Sequence, residues 1–215
     1  MLRAALRDEF GPRARARGYG RSVPTWRKVS DGGDVAVLHV QNSSSSTSMH
    51  LLCVVNVEVV PEPHLRRQAF LGHPVEPRKV PHGMGMHFDR HEPPAGTQSR
   101  EGWWDVYDEA SAAAAVGNMI GQLDAGGWAR LDSLLEPGGL LAAVQSGDLG
   151  FAKRTEATVT HFARAEALLL MDAGPSDALD GALDVLRLAQ GRTEAETRAQ
   201  SEHVAWVHAQ SVAGG

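Results

Sequence analysis

Histidines are the residues of this chain whose type and spacing could support chemistry, and one pair of them resembles a metal site. His87 and His91 lie four positions apart, with Asp89 between them. On a helix this spacing would place both imidazoles on one face, where they could bind a divalent transition metal with the carboxylate as third ligand. The glutamate of the H-E-x-x-H signature is absent, so the pattern does not predict a metalloprotease.

A second group of polar residues flanks a serine-rich tract at residues 42–48. It comprises His39, Gln41 and His50. If the flanking segments are the strands of a hairpin, the two histidines would face each other across it and form a polar site. In a half-buried sheet, satisfied cross-strand packing is the alternative interpretation. We therefore treat these three residues as the polar cluster to inspect, and assign no catalytic residue.

Motifs for other kinds of catalysis are absent from the sequence. It contains no nucleophile elbow, phosphate-binding loop, paired-cysteine metal site or dinucleotide fingerprint. Its single cysteine, Cys53, lies in an apolar run and is predicted to be a small buried residue rather than a reactive thiol. We therefore predict no cofactor, and an enzyme would have to assemble its site from residues that no motif marks.

The polar cluster of His39, Gln41 and His50 must be positioned by a β-hairpin between Asp34 and Val60. The serine tract separates two apolar runs, which predicts a solvated loop between two strands. In the second run, every second residue is apolar, whereas the residues between them include both polar and apolar types, as in a strand with one dry face. The dry face is predicted to comprise Met49, Leu51, Cys53, Val55, Val57 and Val59. The opposite face carries Asn56 and Glu58, and a short strand through Trp26 would make the sheet at least three-stranded.

The first histidine pair lies in residues 61–102, which predict a long loop. This stretch holds seven prolines, five glycines and five of the ten histidines. Gly83 and Gly85 precede the pair and two prolines follow it, so a helix there is unfavourable. A solvent-exposed loop is therefore predicted, with the metal site as the alternative. Within it, residues Ala69–Leu71 would form a small strand or pin the loop to the body.

The N-terminal segment is basic and is predicted to be helical. Apolar residues recur every four positions from Leu2 to Phe10, and Pro12 then leaves two alternatives: a helix that ends near Phe10, or a kinked helix that continues to Arg17. Residues 1–30 carry a net charge of +6, which leaves −11 for the rest. A basic arm on an acidic body could contact nucleic acid. Few aromatic residues are interleaved with the arginines, so a solvated helix face is favoured.

Helices are predicted to cover the sheet. Asp108 can cap a helix that ends at Gly126, and two shorter helices follow up to Val144. The sequence therefore predicts an α+β fold, in which an antiparallel sheet of three or more strands is covered by helices. We assign this α+β domain to residues 1–150 and a helical extension to residues 151–215.

About three helices are predicted in the extension. They run from about Arg154 to Met171, from Asp177 to Gln190, and onward from a capping box formed by Thr193 and Glu196. Consecutive leucines at residues 168–170 cannot all face one neighbour. The extension would therefore pack on its own helices and either on the first domain or on a second copy of the chain, as a homodimer.

A membrane segment is not predicted. The N-terminus lacks an apolar signal core, and no stretch approaches the length of about 18 uncharged apolar residues that a spanning helix needs. We expect a soluble cytoplasmic protein without a membrane partner.

Several short motifs occur in an order that is familiar from a known family. They are Gly18-Tyr19 after a helix, Trp26-Arg27, a strand reaching Gln41, the strand Val54–Val57, and Trp103-Trp104 followed by helices. Together they resemble the bacterial domain-of-unknown-function family 4304 over about residues 2–148. The resemblance implies an α+β domain and lends no catalytic residue. The chain departs from the family in having Tyr19 where phenylalanine is usual, and in its long loop at residues 61–102.

Three classes of function follow from these features. The first is a non-enzymatic module that binds another protein through its sheet or its helical extension, as an immunity-like or accessory factor. The second is a metal-dependent enzyme that uses His87, Asp89 and His91. The third is a weak nucleic-acid contact through the basic N-terminal segment. The absence of a catalytic motif favours the first class.

Overall fold

The computed structural model describes residues 1–20, 23–47, 49–97, 99–100, 102–189 and 193–214. The chain divides into two compact units, Met1–Pro137 and Gly138–Gly215. The first contains a sheet with helices and the second is mainly helical, which confirms the α+β class and the helical C-terminal segment. The domain boundary at residue 150 stays a prediction, because compactness alone does not show where an independently folding domain ends.

The N-terminal segment is helical from Leu2 to Ala16. It consists of α1 (Leu2–Ala5), a π-helical turn (Leu6–Phe10) and α2 (Gly11–Ala16). Pro12 has no N–H and its ring crowds the preceding turn, so the wider turn just before it lets the helix continue. Of the two predicted alternatives, the helix that continues past Phe10 is correct.

The described strands of the first unit form one antiparallel sheet with β3 at its centre. They are β1 (Thr25–Val29), β2 (Val35–Asn42), β3 (Leu51–Val60), β4 (His87–His91), β5 (Ser99–Arg100) and β6 (Trp103–Val106). β2 pairs with one side of β3, while β4 and β6 share the other side. The predicted hairpin is therefore confirmed, and the serine tract is its loop, of which Ser48 lies outside the described residues.

Three further helices belong to this unit: α3 (Glu62–Phe70), α4 (Glu109–Gln122) and α5 (Trp128–Leu135). The carboxylate of Asp108 accepts a hydrogen bond from the N–H of Ser111 at 2.7 Å, and the hydroxyl of Ser111 accepts one from the N–H of Asp108 at 3.0 Å. This capping box confirms the predicted start of α4. The helix break predicted at Gly126 is observed, because this residue has non-helical backbone angles (φ 163°, ψ −18°) within the segment Leu123–Gly127 and forms a kink between α4 and α5.

One face of the sheet packs against helices, and we call it the helix face. It carries Trp26, Leu38, Val40, Cys53, Val55, Val57, Val59 and Trp104, all buried. The ring of Trp26 lies 4.5 Å from that of Phe10, and Lys28 forms an ion pair with Asp132 of α5 at 2.7 Å. The predicted dry face is thus confirmed from Cys53 onward. Met49 is the exception, because β3 begins only at Leu51 and leaves the Met49 side chain 73% exposed.

Residues 61–102 do not form the predicted structureless loop. They contain α3, a 3-10 turn at Pro77–Lys79, β4 and β5. The prolines are compatible with these elements, since Pro63 lies in the first turn of α3 and Pro77 starts the 3-10 turn, where no intrahelical N–H is needed. The strand expected at Ala69–Leu71 is instead the end of α3, where Phe70 and Leu71 are exposed.

Residues 72–86, which we call the strap, connect α3 to β4 across the second face of the sheet, the strap face. A buried cluster holds them there, with Val75 and Met84 packed against its margin. Its members are Val35, Val37, Val60, Leu65 and Val80. β3 is therefore covered on both faces, whereas the alternation of its side chains predicted a single dry face.

The second unit confirms the helical extension, with one addition. Its helices are α6 (Gly139–Gln145), α7 (Val159–Leu170), α8 (Asp177–Leu188) and α9 (Glu194–Gly214), with 3-10 turns at Glu156–Thr158 and Met171–Ala173. A hairpin of two short strands, β7 (Asp148–Leu149) and β8 (Ala152–Lys153), was not predicted. Ser176 caps α8 as expected, and the predicted end of that helix at Gln190 lies outside the described residues.

Among the described residues, no helix has both the length and the apolar character that crossing a bilayer would require.

Candidate functional site

A row of four polar side chains crosses the centre of the strap face. In the strand register Thr25 of β1 is opposite His39 of β2, His39 is opposite Asn56 of β3, and Asn56 is opposite Arg90 of β4. Cross-strand partners project to the same side of a sheet, so all four lie together on this face. We call these four residues the polar row.

Hydrogen bonds tie the middle of the polar row to its neighbours. Asn56, only 1% exposed, donates from Nδ2 to Oε1 of Gln41 at 2.7 Å, and its Oδ1 accepts from Nε of Arg90 at 3.3 Å. Both ends of the buried amide are therefore satisfied, which removes the main penalty of placing it among valines. The network holds the guanidinium of Arg90 in a defined position.

The network ends on an aromatic surface residue. The guanidinium carbon of Arg90 lies 5.5 Å from the centre of the Trp103 ring, within the range of a cation–π contact. Gln41, Arg90 and Trp103 are all half-buried, so each presents part of its side chain to solvent. We call these three residues the Arg–Trp patch.

Between Thr25 and Asn56 in the row, His39 is held as a neutral imidazole. Its Nδ1 lies 2.9 Å from Oγ1 of Thr25, and its ring stacks on His82 of the strap with centroids 3.9 Å apart. Burial, and then the nearby charges of His82 and Arg27, lower the pKa of His39 to about 4. A base that weak is poorly matched to proton transfer near neutral pH. The geometry therefore supports a structural role for His39 more than a catalytic one.

Glu58 anchors the strap beside the polar row. Its carboxylate is fully buried and accepts hydrogen bonds from the N–H groups of Gly83, at 2.7 and 2.9 Å, and Gly85, at 3.0 Å. A Cβ at Gly85 would lie 2.6 Å from the carbonyl oxygen of His87 and 2.7 Å from Cβ of Glu58, so only glycine fits this position. The G-x-G spacing was a signal for such a close approach that the loop prediction missed.

The structure does not bring His50 to the predicted cluster. The cross-strand partner of His39 is Asn56, whereas His50 precedes β3. Nδ1 of His50 lies 2.9 Å from Oδ1 of Asp105 instead. Of the three predicted residues, His39 therefore belongs to the polar row, Gln41 borders it through its hydrogen bond with Asn56, and His50 forms a separate contact with Asp105.

His87, Asp89 and His91 lie on β4, not on a helix or in a loop. Alternation puts their side chains on the helix face, where His87 is buried and Nδ1 of His91 lies 3.0 Å from Oε1 of Gln122. Residues four apart on a strand are separated by about 13 Å, too far for both imidazoles to bind one ion. Within the part of the chain that the structure describes, no three His, Cys, Asp or Glu side chains are grouped to hold a metal.

The support that remains for the metal hypothesis is therefore the four-residue spacing of His87 and His91 in the sequence. Elemental analysis of the purified protein, with melting temperatures before and after chelation, tests it. Bound zinc, nickel or manganese together with a lower melting temperature after chelation would restore it.

The basic N-terminal segment has the solvated face that was predicted. Its exposed arginines are Arg3, Arg7, Arg13, Arg15 and Arg17. Arg7 pairs with Asp8 at 2.7 Å, and the guanidinium of Arg17 lies 5.7 Å from the Trp128 ring centre. A nucleic-acid contact through this segment stays a prediction, and these intramolecular contacts do not favour it.

Comparison with known proteins gives one match. The family model described as a domain of unknown function, DUF4304, matches residues 10–133, which include the whole six-stranded sheet. No curated protein and no solved structure matches the chain. The matched range confirms the resemblance drawn from the short motifs.

Proposed function

We propose that this chain, which belongs to the DUF4304 family of domains of unknown function, is a non-enzymatic module that binds a protein partner through the Arg–Trp patch. Residues 10–133 carry both the patch and the family match. We place the protein in the bacterial cytoplasm and assign it the role of an immunity-like or accessory factor, in keeping with its acidic body and the absence of a catalytic motif from its sequence.

The stacking of Arg90 on Trp103 is the observation that carries this proposal. Arginine and tryptophan are the side chains most often found at the energetic centres of protein interfaces. Asn56 and the ring of Trp103 already hold the guanidinium in place, so a partner would lose little side-chain entropy when it orders this surface. A carboxylate or backbone carbonyl of the partner could then accept from the terminal nitrogens of Arg90.

Binding to the native partner tests the proposal. Tagged wild-type protein, Arg90→Ala, Trp103→Ala and the control Arg130→Ala would be used to recover partners from the native host. Arg130 is an exposed arginine on α5, outside the patch. We expect one partner to be recovered with wild type and control, and its affinity to fall about 30-fold or more in each patch variant, as for an interface hot spot.

Two results would contradict the proposal. Equal affinity of the patch variants and wild type would remove the patch as the binding site. Failure of every form to recover a partner would count against an interaction module.

A second copy of the chain is the other proposed partner, through the C-terminal helices. Leu188 at the end of α8 is 83% exposed, and Val212 on α9 is also exposed. Burial of such apolar side chains would stabilise a dimer. Light scattering should then give a dimer mass for wild type and a monomer mass for Leu188→Ser, whereas a monomeric wild type would rule the dimer out.

A further inference from the structure

A cavity of about 350 Å³ lies between α4 and the segment around β6, apart from the Arg–Trp patch. Its helix wall is a stripe at helical spacing, and the opposite wall includes the exposed Tyr107 and the buried Trp104. The described lining residues are Thr97, Trp104, Asp105, Tyr107, Ala110, Ser111, Ala114, Ala115 and Asn118. The helix wall is made mostly of small side chains, so the space between helix and strand stays open where leucine would fill it.

The size of the cavity suits a small molecule. Sites for such ligands usually have volumes of about 300–1,000 Å³ and combine apolar walls with a few polar groups. Here Tyr107 is the accessible aromatic residue, since it is 38% exposed whereas Trp104 is only 2% exposed. It shares the lining with three alanines and with the amide of Asn118, which adds a donor and an acceptor. A flat aromatic ring in the wall favours a planar ring as the occupant.

The charge of the cavity favours a cationic ligand. Asp105 is the charged residue among the described lining residues, and its side chain is 14% exposed. His50 occupies part of its carboxylate at 2.9 Å, but a carboxylate offers about four lone-pair sites, so an ammonium group can share it. Asp108 and Glu109 follow in sequence at the start of α4 and add negative charge, which outweighs the partial positive charge of the helix N-terminus.

We propose that this cavity binds a small aromatic amine, with its ring between Tyr107 and the alanines of α4 and its ammonium group on Asp105. The inference is independent of the protein-binding proposal, since none of the Arg–Trp patch residues lines the cavity.

Neighbouring alanines of α4 supply a matched test. Ala113 and Ala114 are both exposed, but only Ala114 lines the cavity. The full chain would be titrated with tryptamine by calorimetry, with the indole N–H signal of Trp104 followed by NMR, and with indole-3-acetate as the probe of opposite charge. We expect tryptamine to bind wild type and Ala113→Leu equally, and Ala114→Leu at least tenfold more weakly.

Charge recognition is tested in the same way. We expect tryptamine to bind wild type at least tenfold more tightly than indole-3-acetate, and this preference to disappear in Asp105→Asn. Three results would overturn the proposal: no tryptamine binding to the folded chain, equal binding to Ala114→Leu and wild type, or equal binding of the two probes to wild type. Melting curves of each variant would establish that the compared proteins are folded.

Discussion

The two faces of β3 are both buried, but by different kinds of contact. On the helix face, Val55 and Val57 pack against side chains and need only a neighbour of suitable shape. On the strap face, Glu58 and Asn56 are equally inaccessible, and each is satisfied by specific hydrogen bonds. Alternation of apolar and polar residues along a central strand can therefore indicate two different interiors rather than a dry side and a wet side.

This difference has an energetic consequence. A core made of side-chain contacts loses stability in proportion to the volume that is removed. A face held by a buried carboxylate and backbone N–H groups instead fails when one partner is lost, because the other is then left unsatisfied. Substitutions on the two faces should therefore differ in what they disrupt as well as in how much stability they cost.

The largest effect is expected from Val55→Asp on the helix face. The substitution places an unpaired charge at a fully buried position, at a cost of more than about 4 kcal/mol. Circular dichroism and urea denaturation should show loss of the folded first unit. Val29→Asp is the control, because Val29 lies in the same sheet but is 38% exposed. A folded Val55→Asp protein with an unchanged melting temperature would contradict the burial of this face.

A smaller and more local effect is expected from Glu58→Ala on the strap face. It leaves the N–H groups of Gly83 and Gly85 without their acceptor, and we expect a loss of about 2–4 kcal/mol. Hydrogen exchange should show faster exchange in the strap while amides of β3 stay protected. Glu76→Ala, which removes only an exposed ion pair with Lys79, should change stability by less than about 0.5 kcal/mol. Unchanged protection of the two glycines would refute the anchoring role.

The strap face should also be the more sensitive to pH, through His39. Its pKa is about 4 in the folded chain and 6.5 in the reference state, so between these values the unfolded chain binds a proton that the folded chain does not. The free energy of unfolding should therefore fall as the pH is lowered from about 6.5 to 4. The full shift corresponds to about 3 kcal/mol, which solvent screening of this half-buried ring reduces to about 1–2 kcal/mol.

Denaturation of wild type, His39→Gln and His73→Gln across this pH range measures that contribution. His73 is an exposed histidine of the strap. Burial also lowers the pKa of His64 and His161, so the difference between wild type and His39→Gln is the relevant quantity. The same pH dependence in all three proteins would show that His39 does not contribute.

The smallest effect on stability is expected at the Arg–Trp patch. Arg90→Ala removes the 3.3 Å hydrogen bond to Oδ1 of the buried Asn56. Truncation of this half-buried side chain also lets water reach that oxygen, so we expect a change of less than about 1 kcal/mol in urea denaturation. Arg130→Ala should change it less still. A loss of several kcal/mol at Arg90 would mean that the residue serves the fold, and the patch would then no longer be the preferred binding surface.

Local patterns in the sequence predicted much of the helix face and little of the strap face. The alternation from Cys53 to Val59, the burial of Trp26 and the cap at Asp108 depend on neighbouring residues, and all are observed. The strap depends on Glu58 meeting Gly83, 25 residues away, a contact that no local period encodes. Its prolines and glycines were therefore interpreted as a loop, although they start helical turns and admit close backbone contacts.

The polar row was missed for a related reason. Its members become neighbours only once the register between β2 and β3 is known, because that register pairs His39 with Asn56. A hairpin loop of fixed length would have supplied the register, but the serine tract leaves several loop lengths open. No sequence pattern indicated that Arg90 contacts Trp103. The two residues lie on different strands, β4 and β6, which become neighbours only because both pair with the same side of β3.

Cys53 is a built-in probe of how often the sheet separates from the helices that cover it. The thiol is fully buried on the helix face, and burial raises its pKa to about 12, so the native chain holds almost no thiolate. Thiol reagents should therefore label this single cysteine only when the sheet and its covering helices separate. The labelling rate in the absence of denaturant would report how often that separation occurs, without any added probe.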